Sequence, residues 1–109
     1  MARWLSASVR LNMTTDINKL LKIYLGTDEN GGYQPIGCEE RIMSAFPIDY
    51  NQKMDLIAPY LNEEHSPDWA KNDLLTECKK FEGVIHRKYP EIEKIVVRSL
   101  VNRWSFSWK

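Results

Sequence analysis

Histidine and cysteine, the side chains on which nucleophilic and transition-metal chemistry most often relies, number only two each in 109 residues. Cys38 and Cys78 form no CxxC pair, so the cysteines supply no metal or redox motif, and free thiols are expected of an intracellular chain. The phosphate-cradling patterns are missing too: there is no GxGxxG after a strand and no Gly-Lys-Ser/Thr. No serine sits in a GxSxG context, which leaves esterase chemistry as unsupported as nucleotide hydrolysis. Formal net charge is zero, which argues against a dedicated nucleic-acid binder. No apolar run approaches the ~20 residues that span a bilayer. The first ten residues lack the uninterrupted apolar segment of about 7–15 residues that marks a signal peptide, so a cytoplasmic location is expected.

What is present reads as a small soluble protein. Hydrophobic residues make up 43% and charged ones 28%, ordinary values for a globular chain. The length suits one domain over residues 1–109 with a single core. Met13-Thr14-Thr15-Asp16 also reads as a natural start, which would make residues 1–12 an extension. Charge is unevenly spread: residues 14–65 hold nine acids against four bases, and residues 66–109 hold nine bases against six acids. Such halves can attract each other within one fold or between two copies.

Apolar spacing predicts the elements. Leu5, Ala7, Val9, Leu11 and Met13 alternate with polar residues, the pattern of a strand. Thr14 or Thr15 would cap a helix over 14–25 whose stripe is Ile17, Leu20, Leu21, Tyr24 and Leu25, closed by Gly26. A Gly-rich loop follows, then a helix over 38–46 with Ile42, Met43 and Phe46 inward, stopped by Pro47. A third helix, 50–61, carries Tyr50, Met54, Ile57, Ala58 and Leu61, with Pro59 expected to kink or fray it. Ser66-Pro67-Asp68 looks like the start of a long helix over 67–89, with Phe81 and Ile85 in its stripe. Pro90 stops it, and Pro90-Glu91 opens a helix over 91–101.

The last stretch, Trp104-Ser105-Phe106-Ser107-Trp108, alternates large rings with serine and reads as a second strand. The expected fold is therefore mainly helical α+β, with four to five helices on a small antiparallel sheet built from the two terminal strands. Arg98, Arg103 and Lys109 flank the rings, and Trp104, Phe106, Trp108, Arg98 and Arg103 make up the candidate interaction surface.

Other constellations are weaker. Counting from Asp28, Asn30 and Glu39 take the third and twelfth positions of an EF-hand-like loop, but Gly32, Tyr33 and Pro35 break the pattern. Cys38 falls at a helix start, where the dipole favours a thiolate, yet Glu39 and Glu40 oppose it and no base is placed beside it. Glu82 and His86 lie one helical turn apart, and His65 has Glu63, Glu64 and Asp68 nearby, without the three or four convergent ligands of a transition-metal site. No catalytic residue, metal or cofactor is assigned. The leading expectation is a non-catalytic protein-interaction or adaptor domain, with a protein partner or a second copy as a homodimer and no membrane. The alternative is small-ligand or single-stranded nucleic-acid binding through the terminal aromatics, nucleic acid being the less favoured ligand. The second alternative is an enzyme using Cys38 or a His65/His86 site.

Overall fold

A computed structural model describes residues 16–107, which form five helices and, among the described residues, no strand. The expected sheet is overturned. Residues 102–106 do not leave the last helix, and the amino-terminal alternation at 4–13, like Trp108, lies outside the described residues.

Helix α1 (Ile17–Leu25) is capped by Asp16, whose carboxylate accepts the Asn18 N–H at 3.0 Å. Gly26, at φ 63°, closes it in the left-handed conformation that suits glycine. Thr14 and Thr15, the expected caps, lie outside the described residues. Helix α2 (Cys38–Ala45) buries Ile42 but leaves Met43 half exposed, contrary to the inward placement expected from its stripe. Helix α3 (Tyr50–Leu61) runs through Pro59 to its expected end and buries Ile57 and Leu61. Leu20, Leu21 and Leu25 of α1 meet these residues in one hydrophobic cluster.

Helix α4 (Leu74–Lys88) begins seven residues later than the Ser66-Pro67-Asp68 signal suggests. The Asp68 carbonyl accepts the Lys71 and Asn72 N–H groups, which closes a single turn. The backbone is then extended at Asp73 (φ −85°, ψ 176°), and that residue caps α4 by accepting the Thr76 N–H at 2.8 Å. The neighbouring Asn72 donates to the Glu77 carboxylate at 2.6 Å, a bond that favours the start at Asp73 over the one expected at Ser66.

Helix α5 (Lys94–Phe106) also starts late, because the Asn18 side chain holds the preceding turn. Asn18 accepts the Glu93 N–H at 2.7 Å and donates to the Glu91 carbonyl at 3.1 Å. Val96, Val97, Leu100 and Val101 are buried against α4 and α1, and Trp104 packs on the same cluster one turn on. That spacing is the 3.6-residue repeat of a helix. The terminal alternation is therefore local: Trp104 lies inward, Phe106 is 53% exposed, and Ser105 is buried with its hydroxyl bonded to the Asn102 carbonyl. The β-branched Ile95-Val96-Val97 run stays helical because its burial outweighs a weak intrinsic preference.

Two polar clamps fix the glycine-rich loop. Arg41 donates to the Ile23 and Tyr24 carbonyls in the last turn of α1 and to the Gln34 and Ile36 carbonyls in the loop, at 2.7–2.9 Å. On the other side, Ser99 and Asn102 of α5 donate to the Gly32 and Gly31 carbonyls, each at 2.7 Å. The loop thus carries Tyr33 to the end of α5. Among the described residues, no helix is long and apolar enough to cross a membrane.

Candidate functional site

Where the last turns of α5 pass the end of α3 and the middle of α4, they leave a cavity of about 210 Å³. Tyr33, Tyr60, Phe81, Trp104 and Phe106 provide aromatic walls, and Leu61, Ile85 and Leu100 add aliphatic ones. Tyr33 meets Phe106 edge to face at 6.0 Å, and Phe81 meets Trp104 likewise at 5.4 Å, the geometry that ring quadrupoles favour.

Tyr33, Tyr60, Glu63, Arg103 and Ser107 bring polar groups to this lining. Tyr60 donates its hydroxyl to Glu91 at 3.0 Å, and burial together with that bond pushes its pKa up to about 12. Glu63 accepts the Tyr89 hydroxyl at 2.7 Å and pairs with Lys88 at 2.9 Å, contacts that hold its carboxyl below the ordinary value. Arg103 donates to the Leu61 carbonyl at 2.9 Å. Its charge also reaches Tyr24, whose hydroxyl burial pushes up and Arg103 partly draws back down.

Beside the cavity, behind Trp104, lies a second polar group inside the fold. Glu77 is 1% exposed and receives His65 Nε2 at 2.7 Å and Asn72 Nδ2 at 2.6 Å. Burial presses its carboxyl toward the neutral form, but the bonds from His65 and Asn72 and the Lys80 charge outweigh it and lower the pKa. With the carboxylate ionised, His65 Nε2 carries the hydrogen. The imidazole stacks on Phe81 at 5.3 Å and meets Trp104 edge to face at 5.4 Å. A carboxylate orienting an imidazole is part of a hydrolytic triad. Here the pair acts as a polar lock between α4 and the segment before it.

The remaining candidates are dispersed. The Cys38 thiol donates to the Gln34 carbonyl at 3.3 Å and lies near Tyr33 and Arg41, with no histidine among these partners. His86 is exposed beside Lys79, Glu82 and Lys94. Asp28 spends one carboxylate oxygen on the Asn30 and Gly32 N–H groups, each at 2.8 Å, which is the role of a turn-forming aspartate. No group of three metal-ligating side chains occurs among the described residues. Of the surface expected from sequence, Arg103, Trp104 and Phe106 come together at the cavity. Arg98 lies against Gly31 instead, and Trp108 is outside the described residues. Sequence reasoning missed Tyr33 and Tyr60 and placed Glu63 only in a loose carboxylate–imidazole group with His65, not at this cavity. Tyr33 left a trace, as a large ring in a Gly-rich loop.

No protein-family model, curated protein or solved structure matches this chain.

Proposed function

We propose that this chain is a non-catalytic binding protein that holds one ring-sized small molecule in the cavity at the end of α5. The observation that carries the reading is the convergence of five aromatic rings and one guanidinium on about 210 Å³. A cavity of roughly 150 Å³ already accommodates benzene, whereas drug-sized ligands occupy pockets of ~300–1,000 Å³. The volume therefore favours a single ring with a small substituent. It disfavours a strand of successive stacked bases, which needs an extended groove.

Amide NMR spectra of the full chain, recorded with phenol and with benzoate, test this. Shifts concentrated at Tyr33, Leu100, Trp104 and Phe106 support the reading, and spectra unchanged by either probe refute it. Protein interaction keeps a separate support in Ile36 and Ile48, which are 86% and 98% exposed. Light scattering after gel filtration addresses its self-association form, and a strict monomer at high concentration counts against a homodimer.

A further inference from the structure

We propose that Arg103 is the anchor of this cavity and that its ligand is a small aromatic monocarboxylate, a step that rests on the cavity being a binding site. Among the described residues of the lining, Arg103 is the one cation and Glu63 the one carboxylate. Glu63 is committed elsewhere: the Lys88 ammonium and the Tyr89 hydroxyl occupy its oxygens at 2.7–3.1 Å. Its charge is neutralised in place, so it offers little to a ligand amine.

Arg103 is in the opposite situation. Its hydrogen bond goes to a neutral acceptor, the Leu61 carbonyl at 2.9 Å, and its charge is felt at the Tyr24 hydroxyl, which is neutral as well. No carboxylate of the described residues forms an ion pair with it. Glu39 and Glu40 share with it the lining of the neighbouring cavity, but Glu39 is taken by the Tyr50 hydroxyl at 2.7 Å. A guanidinium carries five N–H donors in a planar fork that matches a carboxylate. Here that fork sits at the wall of an aromatic cavity, with no carboxylate of the described residues paired to it. A cavity of roughly 150 Å³ already takes benzene, so about 210 Å³ leaves room for a small substituent such as a carboxylate. A ring held edge to face by Tyr33, Phe106 or Trp104, with its acid group on Arg103, fills this space with both polar and apolar needs met.

Benzoate, benzamide and benzylamine share one ring and differ in charge, so calorimetric titration of the full chain with each, at low salt and neutral pH, tests the assignment. Benzoate is expected to bind at least tenfold more tightly than benzamide, with benzylamine weakest. Arg103→Gln is expected to erase the benzoate advantage and leave benzamide binding in place, and Arg103→Lys to restore part of it. Equal binding of benzoate and benzamide, or a preference for benzylamine, overturns Arg103 as the anchor while the ring site stands. If none of the three binds, the cavity reading fails and this inference fails with it. Should Arg103→Gln not fold, the order of the three probes on the unaltered chain decides alone.

Discussion

Arg41 offers the sharpest test of how this fold is held. Its side chain makes four hydrogen bonds to backbone carbonyls, two on the last turn of α1 and two in the loop that follows. The final carbonyls of a helix lack partners within the helix, and a cation placed there also meets the negative end of the dipole. A hydrogen bond to a charged group contributes about 1.5–3 kcal/mol net. The bonds to Ile23 and Tyr24 are partly buried, whereas those to Gln34 and Ile36 are exposed and contribute little. Taking the first two at the low end, Arg41→Ala is expected to cost about 3 kcal/mol. For a chain of this size that lowers Tm by roughly 12–24 °C. Urea melts followed by far-ultraviolet circular dichroism measure the loss directly. Arg41→Lys should recover only the dipole contribution, about 0.3–1 kcal/mol, because one ammonium cannot bridge both segments. A loss below about 1 kcal/mol in the alanine variant, or full rescue by lysine, would refute the clamp.

Gly31 sits at φ 77°, and a Cβ built there would stand 2.8 Å from the Arg98 side chain. Gly31→Ala should therefore destabilise by about 1–3 kcal/mol in the same melts; an unchanged midpoint would contradict this. Phe106→Ala, at a half-exposed ring, should cost under about 1 kcal/mol in stability yet weaken benzoate in the calorimetric titration. Trp104→Ala removes a ring packed on Phe81 and should cost about 2–4 kcal/mol. If both variants melt like the original chain and bind benzoate as it does, the rings are neither core nor wall. Asp28, Asp73, Glu63 and Glu77 all have lowered carboxyl pKa values, set chiefly by backbone N–H bonds at the aspartates, by Tyr89 and Lys88 at Glu63, and by His65 and Asn72 outweighing burial at Glu77. A group with a depressed folded pKa contributes its stability above the unfolded value, here 3.8 for Asp and 4.5 for Glu, and loses it as pH falls through the folded one. The urea midpoint should stay level from neutral pH to about 5 and drop below 4.5. A midpoint unchanged at pH 3 would show that these bonds do not stabilise the fold.

Much of the helical framework was legible in residue order because its causes are local. The stripe of α1 and its Gly26 terminator, the start of α2 and both ends of α3 follow from contacts between residues three or four apart and from backbone groups left open at helix ends. Where two local signals compete, residue order cannot choose between them. Ser66-Pro67-Asp68 and Asp73 are both adequate caps, and the outcome follows Asn72 and His65 reaching the buried Glu77. Likewise, Trp104-Ser105-Phe106 is compatible with a period of 2 or of 3.6. Only the burial of Val97, Leu100, Val101 and Trp104 on one face decides for a helix and removes the expected sheet.

The candidate site divides the same way. Chemical type was readable from sequence alone: rings and arginines gathered at the carboxyl end, two histidines without a metal constellation, and two unpaired cysteines. Which of these groups share a cavity was not readable. Tyr33, Tyr60 and Arg103 are separated by 27 to 70 positions and meet because Arg41, Ser99 and Asn102 pin the loop to α1 and α5. Periodicity and caps act over one helical turn, so sequence by itself determined the helices and their apolar faces. Long-range hydrogen bonds and shared burial act between segments, so only the tertiary structure decided where α4 and α5 begin, that Trp104 and Phe106 are helical, and that a cavity forms beneath them.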